Sequence, residues 1–436
     1  MTHKLSAFAR RSLLPALLIG LCPPVAMLLW HVNSQLGGSF SALFRAFYDD
    51  GLFATLWAAW GPYIFGSKIA WTIIGVFAGI ELAFMKWLPG PTYVGPETTN
   101  GYVPIYKANG RLAYALTLVL FFLGGFVFQW FRPGIVYDNF GDILGALNMA
   151  ALGLCIVLYI KGRWWPSGLD ATTSSNRIFD YYAGIELYPR LLGSDVKHFA
   201  NSRFSMMAWA LIPLCFASWQ IENYGHLSTS MLVCVALQLV YLTQFFYWET
   251  GYFRTIDIQH DRAGFYLIWG VVVWVPAVYT SPAMYLAEHP VELGWPLATG
   301  IFLVGAFFIT AKNLANRQRA RVRSTDGRTT VWGKPPLIIR AKYRNQNGDE
   351  RESILLASGF WGLSRHFHYV GEIVGAFCWS VVGGFSHFAP FFYVTFLSIL
   401  LIHRGFRDDE KCQEKYGAYW DEYKALVPWK VLPGIY

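Results

Sequence analysis

A basic stretch around residue 320 is the first part of the sequence whose side chains could bind a charged ligand. Residues 312–344 carry ten lysines and arginines, and Asn316, Arg319 and Arg323 within it are spaced three and four apart. On a helix this spacing puts the three side chains on one face. Arginine forks onto phosphate through paired hydrogen bonds, so the face could hold a phosphorylated ligand. The alternative is a cytoplasmic charge cluster that meets anionic lipid headgroups.

The stretch at 355–372, LLASGFWGLSRHFHYVGE, combines aromatic rings with hydrogen-bond donors. A turn of small residues, Ser358-Gly359, precedes an aromatic wall of Phe360 and Trp361. The donors follow in one short run: Arg365, His366, His368 and Tyr369. Such a wall with donors beside it could stack on the flat ring of a nucleotide.

The next polar stretch adds a carboxylate and more aromatic rings. Arg404 and Asp408 are four residues apart, and Tyr416, Trp420 and Tyr423 are spaced four and three apart. An acid holds the ribose hydroxyls of dinucleotides in Rossmann sites, and Asp408 could do the same. No GxGxxG follows a strand, so a dinucleotide site here would be built between helices. The alternative role for the tyrosines and tryptophans is an interfacial aromatic belt.

Candidate proton donors lie farther upstream, in and after an apolar segment. Residues 247–262 read YWETGYFRTIDIQHDR and include Glu249, Asp257, His260 and Asp261. Ionisable groups at membrane depth are costly and tend to be functional or paired. Tyr241, inside the preceding segment, is a further candidate because a phenol is protonated at neutral pH. The alternatives are a short hydrated loop for the acids and simple packing for the tyrosine.

The elements that position these residues must lie in lipid. The chain of 436 residues is 55% hydrophobic and only 14% charged, against about 25% charged for a soluble domain. A membrane span needs about 20 mostly apolar residues. Ten segments qualify: roughly 13–31, 67–88, 113–130, 141–160, 204–220, 230–248, 264–287, 294–311, 372–386 and 388–403. The last two are short and predict a tight helical hairpin, and residues 51–66 could be interfacial or re-entrant.

The distribution of positive charge predicts how these spans are oriented. With both termini on one side, only Arg45, Lys68 and Arg132 fall on the other side. Because cytoplasmic loops are rich in lysine and arginine, this asymmetry predicts an even number of spans and cytoplasmic termini. It also accounts for the net charge of +8 without a nucleic-acid partner.

Two smaller patterns concern loops and cysteines. Asn347-Gly348 lies between apolar runs and predicts the tip of a hairpin. The six cysteines contain no CxxC pair, and five of them lie in apolar runs. They are therefore expected to be buried thiols, with no metal site and no disulfide framework.

Several longer motifs together resemble one known family. LLASGFWGLSRHFHYVGE, HRGFRDDEKCQEKYGAYW and VPWKVLPGIY resemble the sterol Δ7/Δ14/Δ24(28) reductases, a family that includes the membrane domain of the lamin B receptor. Upstream, GIELYPR, TIDIQHDRAGFY and TDGRTTVWGKPP resemble it as well. The resemblance implies an all-α polytopic membrane protein of about ten transmembrane helices. It also implies an NADPH site on the cytoplasmic side of the C-terminal half and a sterol pocket open to the bilayer.

The resemblance further implies roles for individual residues. Arg319 and Arg323 match the family's basic pair for the NADPH phosphates, and Tyr241 and Glu249 match positions near the reaction centre. The other positions expected to contact the cofactor are Trp361, Arg365, His368, Tyr369, Arg404, Asp408 and Tyr416. The expected regions of the single domain are 1–203, 204–311 for the sterol pocket and 312–436 for NADPH.

Within the family, HDRAGFYLIWGVVVWVPAVYTSPAMYL at 260–286 is nearest to the Δ7 branch in its plant-type form. Val271 and His368 depart from the commoner family residues, and the plant-type pattern shares both departures. The expected activity is NADPH-dependent reduction of the C7=C8 bond of a 5,7-diene sterol by protonation and hydride transfer. Tyr241, or an acid among Glu249, Asp257 and Asp261, would supply or relay the proton.

Three other functions remain open on the sequence. One is Δ14 or Δ24(28) specificity within the same family. A second is an isoprenylcysteine-type membrane methyltransferase, which shares an RH-x-x-Y element, although Phe367 stands where that class usually has proline. The third is a non-catalytic sterol-binding scaffold. The host membrane would be the endoplasmic reticulum in a eukaryote or the inner membrane in a bacterium.

Overall fold

The computed structural model describes residues 8–98, 100–344 and 350–435. Within these ranges, nine helices are long and apolar enough to cross a membrane. They are Ala9–Gln35, Lys68–Trp87, Gly110–Val127, Phe140–Trp164, His198–Tyr224, Thr229–Tyr247, Phe265–Glu288, Trp295–Ser324 and Ala389–Tyr416. They overlap the first eight predicted spans and the tenth, so the polytopic helical fold is confirmed. The ninth predicted span corresponds to a helix of only 15 residues, Phe367–Val381.

The described chain forms two compact units. One runs to Glu292 and includes Gly383–Pro390, and the other comprises Leu293–Val382 and the chain from Phe391 onward. The predicted division at residues 203 and 311 stays a prediction.

The first unit is helical apart from two small antiparallel strand pairs. Its helices are α1 (Leu14–Gln35), α2 (Phe40–Asp49), α3 (Leu52–Trp60), α4 (Lys68–Trp87), α5 (Gly110–Phe122), α6 (Ile135–Asp138), α7 (Phe140–Trp164), α8 (Arg177–Ala183), α9 (Met206–Tyr224), α10 (Thr229–Tyr247), α11 (Glu249–Tyr252), α12 (Ile256–Gln259), α13 (Phe265–Trp269) and α14 (Ser281–Glu288). The strands are β1 (Thr92–Val94), β2 (Ile105–Lys107), β3 (Arg190–Leu191) and β4 (Ser194–Asp195). Stretches of π-helix at Ala9–Leu13, Leu123–Val127, His198–Ser205 and Gly270–Tyr279 extend α1, α5, α9 and α13.

Local sequence explains where several of these helices begin and how closely they pack. Ser67 and Ser228 accept hydrogen bonds from the backbone N–H groups of Ala70 and Met231, and so cap α4 and α10. In α7, a Cβ added to Gly145 would lie 1.7 Å from the Tyr63 carbonyl oxygen. Only glycine permits this close approach. The apolar piece at 51–66 is the nine-residue α3 followed by a 3-10 turn at Gly61–Tyr63.

The second unit contains α15 (Trp295–Ser324), β5 (Ile338–Arg344), β6 (Glu350–Leu356), α16 (Phe360–Leu363), α17 (Phe367–Val381), α18 (Phe392–Tyr416) and α19 (Ala418–Leu426). The helix of the eighth predicted span, 294–311, continues beyond the apolar segment to Ser324. Residues 312–323 are rich in alanine, arginine, lysine, glutamine and leucine, which favour helix, and contain neither glycine nor proline.

A hairpin follows α15, as the sequence predicted. Strands β5 and β6 pair antiparallel, with Lys342 opposite Glu352 and Arg344 opposite Glu350. The predicted tip at Asn347-Gly348 lies outside the described residues. Apolar side chains of both strands form one core with Trp420, Tyr423 and Val427, so the hairpin ties the C-terminal helix to the unit.

Candidate functional site

Near the end of α15, the basic residue Arg319 lies against an aromatic ring. The guanidinium carbon of Arg319 lies 3.9 Å from the centroid of the Trp361 ring, a cation–π contact. One turn later, Arg323 Nε donates to the Ile354 carbonyl at 3.2 Å. Arg321, on the opposite side of the helix, is exposed. Arg319 and Arg323 therefore share a face of the helix, on which Arg319 is half-buried and Arg323 is exposed.

Trp361 is buried, and a glycine turn holds it in place. Its Nε1 donates to the Ala315 carbonyl at 2.7 Å. The preceding Gly359 has φ +64°, and an added Cβ would lie 2.3 Å from Gln318 Oε1. The same amide oxygen accepts the Phe360 N–H at 3.0 Å. Glycine is therefore required at this turn, which brings the aromatic wall against α15.

The start of α17 sets two imidazoles and a phenol side by side. His366 stacks on Tyr369 with centroids 5.0 Å apart, and the His368 ring lies 5.1 Å from Trp361. The Tyr369 hydroxyl donates to Asp408 Oδ2 at 3.4 Å. Trp361, His368, Tyr369 and Asp408 therefore form one continuous cluster. Arg404 lies one helical turn before Asp408 on α18.

Two residues that are expected at the cofactor also have protein partners. Arg365 is buried, and its Nη1 donates to the carbonyls of Val427 at 2.8 Å and Pro428 at 2.9 Å. The Tyr416 ring lies edge-on to Tyr343 of β5, at 5.6 Å between centroids. Arg365 is thus engaged by backbone oxygens, and Tyr416 packs on the hairpin.

Several buried polar atoms in this cluster have no hydrogen-bond partner among the described residues: Ser364 Oγ, His366 Nε2 and His368 Nδ1. Burial lowers the pKa of His366. The charge of Asp408 opposes this effect and the charges of Arg365 and Arg319 add to it, so that the resulting pKa is about 4. His366 is therefore neutral at pH 7. This set of groups fits a dinucleotide such as NADPH. The guanidinium groups suit its phosphates, the aromatic rings suit its flat rings, and the carboxylate suits its hydroxyls. The unpartnered imidazole atoms could also hydrogen-bond to such a ligand.

In the first unit, Glu249 is the centre of a buried polar network. It accepts hydrogen bonds from the Gly110 backbone at 2.8 Å, from Ser202 at 3.1 Å and from Arg203, and it pairs with His198 Nε2 at 3.2 Å. Burial alone would raise the pKa of Glu249. The hydrogen bonds and charges of His198 and Arg203 outweigh burial and bring this pKa to about 2. Glu249 is therefore an ionised anchor with no proton to donate at neutral pH.

Asp257 and Asp261 lie in a segment that is held through its backbone. Lys197, which is 1% exposed, donates from Nζ to the carbonyls of Asp257, Ile258 and Asp261 at 3.0, 2.8 and 2.6 Å. Helix α12 ends at Gln259, so Asp261 lies beyond it and the two carboxylates do not share a helical turn. Both aspartates are half-buried.

Tyr241 lies in α10, and its ring is 5.2 Å from the buried ring of Trp209. Trp209 Nε1 donates to Gln238 Oε1 at 2.7 Å, and its ring also meets Tyr279 edge-on at 5.0 Å. The Tyr241 ring thus packs against a tryptophan that is itself held by a buried hydrogen bond.

Sequence reasoning missed the groups that support the candidates: Lys197, His198, Arg203, Trp209 and Gln238. The signal for Arg203 and Lys197 was present, because both are cations beside a long apolar run. Their acceptors lie far along the chain and were not readable from spacing. Among the described residues, no group of three or more His, Cys, Asp or Glu side chains could hold a metal ion.

Known proteins resemble this chain along most of its length. Residues 22–436 match the Ergosterol biosynthesis ERG4/ERG24 family. The chain is 45% identical to the 7-dehydrocholesterol reductase of Arabidopsis thaliana over 422 residues, 96% of each chain. It is 36% identical to the 7-dehydrocholesterol reductase of Xenopus laevis over 375 residues, 84% of this chain and 79% of that one. It is 33% identical to the Delta(14)-sterol reductase of Methylotuvimicrobium alcaliphilum over 426 residues, 95% of this chain and 92% of that one.

Replacing Glu249 by glutamine should lower the stability of the protein by about 3–5 kcal/mol, because the buried Arg203 loses its counter-charge. The pKa of Glu249 is depressed to about 2. Its stabilising effect is therefore fully present above the ordinary glutamate pKa, about 4.3, and is lost as pH falls toward 2. Thermal unfolding in detergent should show a large difference in Tm between wild type and Glu249→Gln at pH 7, and a smaller one below pH 4. The exposed Glu97→Gln is the matched control. Equal Tm values for Glu249→Gln and wild type at pH 7 would contradict the anchoring role.

Proposed function

This chain belongs to the Ergosterol biosynthesis ERG4/ERG24 family, and from that premise we propose that it uses NADPH to reduce the C7=C8 bond of a 5,7-diene sterol. The observation that carries the proposal is the 45% identity to a 7-dehydrocholesterol reductase over 96% of both chains. The membrane-spanning helices agree with a substrate that dissolves in the bilayer. The cytoplasmic orientation of both termini and the host membrane stay predictions.

The second unit would hold the cofactor. Arg319 and Arg323 would bind phosphate through their guanidinium groups. Trp361, His368 and Tyr369 would face its flat rings, and Asp408 would accept hydrogen bonds from ribose hydroxyls. The remaining candidates are Arg404 and Tyr416. Arg365 has the weakest case for a direct contact, because two backbone carbonyls already hold its guanidinium group.

NADPH, when bound, supplies a hydride to one carbon of the double bond. The protein must supply a proton to the other carbon, and Tyr241 is the proposed donor. Glu249 is not a suitable donor, since its partners keep it ionised. Asp257 and Asp261, half-buried in the same unit, are the proposed relay that returns a proton to the donor. The buried Trp209 and Gln238 would fix the Tyr241 ring and help to exclude water.

Reduction of a Δ14 double bond is the second candidate. It is favoured by the 33% identity to a Delta(14)-sterol reductase over nearly the whole chain. Both activities need the same proton and hydride, so the two candidates differ only in which ring carbons receive them.

Membranes that contain the protein should consume 7-dehydrocholesterol when NADPH is present. The expected result is loss of the ultraviolet absorbance of the conjugated diene and formation of cholesterol, identified by mass spectrometry. Membranes without the protein and reactions without NADPH are the controls. An unchanged diene together with turnover of a Δ14 sterol would replace the Δ7 proposal by the Δ14 one.

Replacing Arg319 by alanine should raise the KM for NADPH by about 10- to 100-fold, because a charge-assisted contact to phosphate is lost. The KM for NADH should change little if Arg319 reads the 2′-phosphate. Steady-state kinetics with both cofactors measure this, and the exposed Arg321→Ala on the opposite face of α15 is the matched control. Equal losses with both cofactors would leave Arg319 with a structural role only.

Replacing Tyr241 by phenylalanine should lower kcat by about 100-fold or more, because a positioned general acid is removed. The affinity for NADPH should be unchanged. Single-turnover kinetics would separate the chemical step from binding, and Tyr247→Phe, an exposed tyrosine on the same helix, is the control. Full turnover in both Tyr241→Phe and the double variant Asp257→Asn/Asp261→Asn would contradict the proposed proton transfer.

A further inference from the structure

The C-terminal segment 427–430 is bonded to the residues just before α17. The backbone N–H of Arg365 donates to the Trp429 carbonyl at 2.9 Å, and that of His366 donates to the Lys430 carbonyl at 2.9 Å. Both are backbone bonds between residues that lie outside any helix or strand. They join stretches that lie about sixty residues apart in the sequence.

The Arg365 side chain reinforces this pairing from within the unit. It is 6% exposed, and its Nη1 donates to the carbonyls of Val427 and Pro428 at 2.8 and 2.9 Å. Val427 is fully buried. A guanidinium committed to two backbone oxygens holds a chain segment and has fewer donors left for a phosphate.

Asp409 of α18 adds a third point of attachment. Its carboxylate lies 3.7 Å from Arg365 Nε and 3.6 Å from Lys430 Nζ, and it accepts the Trp420 Nε1–H at 3.1 Å. Lys430 Nζ also lies 4.1 Å from the Phe406 ring centroid. One acid thus links the end of α18, the helix α19 and the C-terminal segment to Arg365.

We propose that segment 427–430 is a latch that orders the cofactor site, with Arg365 and Asp409 as its positioning residues. The inference rests on the proposed NADPH site. Its physical reason is continuity, because Arg365 and His366 are covalently followed by His368 and Tyr369, which line the candidate site. The backbone bonds of Arg365 and His366 therefore also restrain the orientation of the His368 and Tyr369 rings. Opening the latch removes those restraints and leaves the rings free to reorient.

The latch and the cofactor are therefore coupled. If NADPH binds the latched form more tightly, then NADPH must also favour latching, by the reciprocity of linked equilibria. Asp409→Asn should weaken NADPH binding by about tenfold or more, since two cations lose their acid. Calorimetry on the purified full chain measures this Kd. Lys411→Met, which removes an exposed charge from the same helix, is the matched control and should bind NADPH as wild type does.

A second measurement uses the unaltered chain, so it does not depend on whether the variant folds. Trypsin cleavage after Lys430 should slow severalfold when NADPH is added, whereas cleavage after the exposed Arg163 of the other unit should not. A wild-type protein that binds NADPH, with an unchanged Kd in Asp409→Asn and no protection at Lys430, overturns the latch alone. A wild-type protein that binds no NADPH overturns the proposed cofactor and this inference with it.

Discussion

A buried charge has to find its partners inside the protein, because the apolar side chains around it supply none. The ion pair between Arg203 and Glu249 meets this constraint in the first unit. Arg203 is fully buried, and Glu249 is 4% exposed. Arg203 also donates to Asn109, next to the Gly110 N–H that Glu249 accepts. One network therefore joins the start of α5, the π-helix at His198–Ser205 and the first residue of α11. Helices held by apolar contacts alone could shift along one another. A shift here would leave Arg203 or Glu249 buried without its partner, so the ion pair fixes the register of these helices.

Two arginines of the second unit, Arg365 and Arg319, differ in the partners that surround them. Arg365 is surrounded by backbone carbonyls and an acid, all supplied by the protein. Arg319 rests on the face of Trp361, a weaker partner that an incoming phosphate can outcompete. We expect Arg365 to stabilise the fold through its two carbonyl acceptors, whereas the ring contact leaves the donors of Arg319 available to an anion. The family resemblance predicted that both residues contact the cofactor, and their different partners became visible only in the structure.

Hydropathy was sufficient to predict most of the helical framework, because lipid selects long apolar segments whatever their tertiary contacts. It placed the end of the eighth span at residue 311, where the charged residues begin. The helix itself continues to Ser324, because the charged stretch also favours helix. Local spacing was also sufficient for the face of Arg319 and Arg323 and for the turn at Gly359. It could not predict the anchors. The donors to Glu249 come from positions 46 to 139 residues away, and the acceptors of Arg365 lie 62 and 63 residues away.

The same constraint explains why the proposed proton donor is a phenol. A phenol or carboxyl group must be protonated before it can give up a proton, and the buried Arg203 beside Glu249 keeps that carboxyl group ionised. A phenol is neutral at pH 7 without any partner to keep it so. Tyr241 needs only orientation, which Trp209 supplies through its ring while Gln238 holds the indole N–H. Glu249 stabilises the packing of the helices because it is charged. Tyr241 is suited to the proposed proton transfer because a phenol is neutral at pH 7.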